Sequence, residues 1–293
     1  MQTLDALKKR IQTTSDLLGV VKTMKSLAAV NIRHFERAAL SMTEYAEVVE
    51  QGWSVLFRSG ELALPGGRES RALILVVGSD QGMCGQFNEL AIRAGLREGD
   101  RLAGQGVDVA YWAAGERIGG GLEDEGRNVV DRVSIPGTLG GVTFAVEGLA
   151  ARLAEWYQSG QGQFHVVHNA QTELEGYAPL VHRVLPLDTF WKENLLSDPW
   201  PSRCLPQTYL PTEVLFTGLF EQHLFVSLYG ALARSMAAEN AARLGAMQAA
   251  EKNIDEMRFH LQRKYRQIRQ DIITGELLDI VSGVEAISEP RGR

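Results

Sequence analysis

The sequence predicts an α/β protein: a long antiparallel coiled coil of the N- and C-terminal helices, with an α/β domain between them. Three observations predict it. A heptad register runs from Leu4 to Leu56, a proline-free apolar stripe with 3,4 spacing runs from Leu244 to Ile272, and short apolar strands alternate with amphipathic helices in the middle. The expected divisions are residues 1–60, 70–205 and 208–289.

With Leu4 as position a, the a sites are Leu4, Ile11, Leu18, Lys25, Ile32, Ala39, Ala46 and Trp53. The d sites are Leu7, Thr14, Val21, Ala28, Phe35, Met42, Val49 and Leu56. Only Lys25 and Thr14 are not apolar, and the first proline is Pro65. A register held that long is a coiled-coil helix. At its normal rise it runs roughly 80 Å, longer than a small domain is wide, so most of it needs a partner beyond the globule. Lys25 stands at a seam position, where lysine snorkels and weakens the pairing.

The C-terminal stripe passes through Leu244, Met247, Ile254, Leu261, Tyr265, Ile268 and Ile272, and no proline occurs between Pro211 and Pro290. Glu251 and Arg258 interrupt it, which predicts a looser seam. Leu215, Leu219, Leu224, Leu228 and Leu232 extend the helix upstream, with Gly218 and Gly230 as weak points. Each terminal helix alone exposes an apolar stripe, so the two are expected to pair.

Between them, Ala72–Val77 reads as a fully apolar strand. A turn, Gly78-Ser-Asp-Gln-Gly-Met-Cys-Gly85, follows it, then a helix with Phe87, Leu90, Ala91 and Ala94 on one face. Further strands are expected at Val107–Trp112, Asn128–Ile135, Phe164–His168 and Val181–Leu185, with an amphipathic helix over Val142–Tyr157. This alternation predicts a largely parallel sheet.

Composition is that of an ordinary soluble chain: 293 residues, 45% hydrophobic, 23% charged, net charge −6. No basic excess points to nucleic acid. The longest apolar run, Ala72–Val77, is too short to span a bilayer, and the charged N-terminus lacks the apolar core of a signal peptide. Neither feature excludes docking on a membrane complex. Cys84 and Cys204 belong to no metal-binding pattern and read as two buried or half-buried thiols in a reducing compartment.

Candidate chemistry is sparse. The turn after the first strand sits where phosphates bind, yet it lacks the Lys-Ser/Thr of a P-loop. Gly104-Gln-Gly106 precedes a strand and has no third glycine, so it is no dinucleotide fingerprint. His165 and His168 lie three apart on a strand and face opposite sides, so they are not a metal pair. Cys84 lacks a local activator. Trp191, Pro199, Trp200 and Pro201 read as an ordered loop engaged in packing or subunit contact. No cofactor is expected. The basic residues Lys8, Lys9, Arg10, Lys22, Lys25, Arg243, Arg258, Arg263, Lys264, Arg266 and Arg269 are either solvated helix faces with i,i+4 pairs, such as Glu239 with Arg243, or contacts to acidic loops of a partner.

Three separated segments resemble the gamma subunits of F-type ATP synthases. The first is Leu7-Lys-Lys-Arg-Ile11 with Val21-Lys-Thr-Met24-Lys25-Ser-Leu-Ala-Ala29. The second is Gly78-Ser-Asp80-Gln-Gly82-Met-Cys84-Gly85-Gln-Phe-Asn88. The third is Glu239-Asn-Ala-Ala-Arg243-Leu-Gly-Ala-Met247 with Arg269-Gln-Asp-Ile-Ile-Thr274-Gly-Glu276-Leu-Leu-Asp-Ile-Val-Ser-Gly283.

The resemblance implies a Rossmann-like domain on a two-helix stalk. It implies a non-catalytic rotor shaft on the axis of an alpha/beta ring, coupling ion flow to ATP synthesis or hydrolysis. An epsilon-type subunit and the membrane c-ring would meet its foot, at the cytoplasmic face of the cell membrane. By position, Met24, Lys25, Arg243, Gln270, Thr274 and Glu276 correspond to residues facing the ring, and Asp80, Gly82, Cys84 and Gly85 to the foot and globular contact. Gly275 departs from the family, which usually carries a polar residue there, often Gln. The cysteine-bearing insertion of chloroplast members is absent, so thiol regulation is not expected. Two rivals are an α/β cofactor-binding enzyme dimerised by its helices and a plain coiled-coil scaffold. The first lacks a phosphate loop, and the second leaves the α/β part unexplained.

Overall fold

A computed structural model describes residues 3–60, 64, 69–160, 162–172, 176–197, 199–200 and 202–288. Met1, Pro65, Pro201, Glu289 and Pro290, used in the sequence reading, lie outside them. The chain divides into two compact units, Met1–Leu27 with Ala246–Arg293, and Ala28–Gly245. Two helices run through both: α1 (Leu4–Ser59) and α6 (Thr212–Ser288). Gly218 and Gly230, expected weak points, do not break α6.

The heptad reading of α1 holds at every seam position: all a and d residues from Leu4 to Leu56 are buried or half-buried. Thr14 is tolerated there because its hydroxyl donates to the Arg10 carbonyl at 2.8 Å, so no polar group is left unmet. Within residues 28–245 the two helices run antiparallel. Arg234 donates to Thr43 Oγ1 at 3.0 Å, and Tyr45 donates to Gln222 Oε1 at 2.8 Å. Gly52 lies flush against Leu219; a Cβ there would come within 2.7 Å of a Leu219 methyl.

The sheet belongs to the larger unit. Its strands are β1 (Arg71–Val77), β2 (Asp108–Ala114), β3 (Val129–Val133), β4 (Gln163–Thr172) and β5 (Gly176–Leu185), in the order β3-β2-β1-β4-β5. The first four are mutually parallel; β5 returns antiparallel from β4. Helices α2 (Phe87–Ala103) and α3 (Glu116–Asp124) cover one face, and α4 (Leu139–Gln158) covers the other. This two-sided cover explains why β1 reads as an unbroken apolar run. Ala72, Ile74 and Val76 pack toward α2 and α3, while Leu73, Leu75 and Val77 pack toward α4, α1 and α6.

Two helices depart from the sequence reading. Helix α3, which the sequence reading did not assign, carries Gly119, Gly120 and Gly121, poor helix formers; Asp80 fixes its N-terminus from outside the segment. The stretch around Trp191 is not a loop but helix α5 (Thr189–Ser197). Trp191 packs edge-on against Trp53, with centroids 5.6 Å apart, and lies 5.9 Å from Phe57. The tryptophan therefore serves core packing, as expected. Cys84 is buried, but Cys204 is exposed, against the expectation of two covered thiols.

Candidate functional site

The turn leaving β1 is held by its own side chains. The Ser79 amide donates to Asn88 Oδ1 at 2.9 Å, and the Ser79 hydroxyl donates to the Gln81 carbonyl at 2.7 Å. Asn88 Nδ2 donates to Ser79 Oγ at 2.9 Å and reaches Cys84 Sγ at 3.4 Å. Met83 and Gly85 take positive φ, 62° and 60°, and so turn Cys84 inward between them. The glycine at 78 is required by space: a Cβ would lie 2.2 Å from Ile118 and 2.5 Å from Asn88.

Asp80 ties three elements together. One carboxylate oxygen accepts from the Glu116 amide at 3.1 Å, supplying the cap that Gly115 cannot give to α3. The other accepts from Ser134 Oγ at 2.6 Å and the Ile135 amide at 3.1 Å. No local sequence signal reveals a cap contributed from so far along the chain.

In open parallel sheets, ligands settle at the carboxyl ends of strands, where the strand order reverses. Here that point lies between β1 and β4, and side chains fill it. Cys84 and Phe87 form a buried cluster with Ala238 and Ala242 of α6, and Tyr177 packs beside it. Burial pushes the Cys84 thiol pKa up, which disfavours the reactive thiolate. On the same stretch of α6, Arg243 donates to Glu239 Oε1 at 2.6 Å, with both side chains largely covered. This is the i,i+4 pair read from the sequence. Burial pushes Glu239 up, and Arg243 opposes the shift.

In the smaller unit the expected weak points of the two seams meet. Lys25 Nζ lies 2.5 Å from Glu251 Oε2, and Lys22 stands 3.9 Å from the same carboxylate. The hydrogen bond from Lys25 holds the Glu251 pKa below the usual carboxylate range. Glu251 is thus not an interruption but the complement of Lys25, which the sequence reading missed. The signal was available: both are lone charges of opposite sign at seam positions. Met24 is half-buried beside this pair. Arg258, the other interruption, pairs within α6 to Asp255 at 3.1 Å.

Gln270, Thr274 and Glu276 lie elsewhere, all exposed; Gln270 is about 28 Å along α6 from Glu251. The Lys25–Glu251 register brings Leu4 level with about residue 272, so α6 continues past the start of α1. Beyond Ile268, every position through Val284 except Gly275 is exposed. Leu277, Leu278, Ile280 and Val284 are 58–63% exposed. The structure therefore does not bring the ring-facing candidates into one cluster. Arg243 and the Lys25 pair are engaged within the chain, and the end of α6 is open.

A family model described as ATP synthase matches residues 3–287. The ATP synthase gamma chain of Chloroherpeton thalassium is 29% identical over 307 residues, covering 99% of both chains. That of Geotalea uraniireducens is 27% identical over 297 residues, covering 98% of this chain and 99% of the relative. Among solved structures, a chain of the Euglena gracilis mitochondrial ATP synthase OSCP/F1/c-ring assembly superposes with TM-score 0.66 at 15% identity, covering 99% of this chain and 97% of that one. A chain from the Tetrahymena thermophila mitochondrial central stalk/c-ring gives TM-score 0.56 at 20% identity, covering 79% and 99%. The structural likeness carries the fold, while the sequence match takes in both terminal helices as well as the sheet; this chain belongs to the ATP synthase gamma-chain family.

Proposed function

We propose that this chain is a rotor shaft without a catalytic centre of its own, turning inside a ring of alpha and beta subunits and carrying torque to it. Residues 1–60 and 208–289 form the shaft, and 70–205 form the body. The observation that supports this most is the end of α6, where large apolar side chains stand exposed beyond the start of α1. A helix end of that composition needs an apolar sleeve. Gln270, Thr274 and Glu276 meet the ring there, and Met24, Lys25 and Arg243 add further contacts to it. The turn with Asp80, Gly82, Cys84 and Gly85 shapes the foot, where an epsilon-type subunit and the membrane c-ring attach. Asp80 and Cys84 act from inside, and the exposed turn presents Met83 and Gly85. The complex lies at the cytoplasmic face of the cell membrane.

The mechanism is a coupling of remote sites. Each angle of an asymmetric shaft presents a different face to each catalytic subunit and shifts its conformational equilibrium. The paired helices supply stiffness.

The test is truncation of the chain after Ile268 in the assembled enzyme. ATP-driven ion pumping in reconstituted vesicles is expected to fall severalfold while the alpha and beta subunits still copurify. Unaltered pumping at unaltered hydrolysis would count against the bearing role.

A further inference from the structure

Within the larger unit, a cavity of about 370 Å³ lies between α1, the β4–β5 edge and α6. That volume is at the small-molecule end of the range for ligand sites. Val49, Val166, Val226 and Trp191 give it an apolar wall, and His168, His182, His223 and Arg234 converge on it.

His168 is 3% exposed and shares a strand face with Val166, which turns its ring into the cavity. Neither of its ring nitrogens has a partner among the described residues. Burial first, then the Arg234 charge, pushes its pKa down to about 4, so at neutral pH it offers one N–H donor and one acceptor. Arg234 donates to the neutral Thr43 hydroxyl at 3.0 Å, and no ion pair engages it among the described residues. Glu50, the carboxylate that lines the cavity, is seven residues beyond Thr43 on α1, about 10 Å along the helix.

We propose that this cavity binds a small amphipathic monocarboxylate, with the carboxylate held between Arg234 and His168 and the apolar body laid along Val166 and Val226 toward Trp191. A planar guanidinium matches a carboxylate's two oxygens, and the imidazole adds a further donor. A hydrocarbon body gains from the valine wall. Phosphate fits poorly, since a dianion would face one permanent cation and an apolar surface. The exposed Leu180 and Val181 of β5 line the opening.

The probe is octanoate, titrated at pH 7 into the full chain carrying isotope-labelled histidine, with the imidazole signals followed by NMR. A saturable shift of the His168 resonances is expected. Arg234→Gln should weaken binding about tenfold or more, the loss expected for a charged hydrogen-bonding partner. Ala46→Phe fills the cavity without altering charge and should abolish the shift, with far-UV circular dichroism showing that both variants fold. The proposal is overturned by the absence of saturation, which would leave water as the occupant, or by a response that persists in either variant. An equal response to inorganic phosphate overturns it too.

Discussion

Lys25 and Glu251 sit where a coiled coil wants leucine, and each alone weakens its own seam. Together they form one half-buried ion pair, 2.5 Å apart. Such a pair adds little stability over an apolar replacement, but it sets register, because any slip leaves both charges uncompensated. Glu251→Leu alone should therefore lower the thermal midpoint, whereas the double variant Lys25→Leu/Glu251→Leu should match or exceed the parent. Melting curves of the four chains in a double-mutant cycle measure this, and an unchanged midpoint in Glu251→Leu would remove the pair from the account. The same cycle should shrink in high salt, since Lys25 is 34% exposed and Glu251 21%.

Among the elements, the end of α6 has a local weakness. Gly275 lies in the helix with no atom within 4 Å of where a Cβ would stand, so nothing steric calls for glycine. Gly275→Ala should stabilise this end by about 1 kcal/mol, seen as slower amide exchange over residues 271–280. Equal exchange rates in both chains would mean that helix propensity does not govern this end. What was legible in the sequence follows the same logic of local against distant causes. The heptad of α1 is written in side-chain periodicity and strand β1 in its unbroken apolar run, and both were read correctly. Helix α3 was not, because three glycines argue against it locally while Asp80, far back in the chain, caps its first turn. The turn before α2 was read from its residues, but the packing of Cys84 and Phe87 against Ala238 and Ala242 depends on tertiary placement. The opposite facing of His165 and His168 was legible from strand alternation alone. That one lies 3.0 Å from Glu98 while the other enters a cavity was not.

For the molecule as a whole, buried histidines make stability depend on acidity. An unfolded histidine takes up a proton near pH 6.5, whereas His168 and His223 do so only at about 4, because burial penalises the cation. Between those values the unfolded chain holds more protons, so stability falls as the pH falls. The contribution is intact above pH 6.5 and is lost progressively toward 4, by roughly 3 kcal/mol for each group at the bottom of the window. Glu98 and Glu251, whose carboxyls are held low, act in the same sense further down. Glu239, pushed up by burial, acts oppositely. Two such histidines remove a large share of the 5–15 kcal/mol typical of a folded domain. The urea midpoint should drop clearly between pH 7 and pH 5. His168→Phe and His223→Phe, close in shape but without a titrating ring, should each flatten that dependence. A midpoint equally steep in pH after both substitutions would place the acid sensitivity on His165, which burial also pushes down to about 4, and on His182, lowered in the same way.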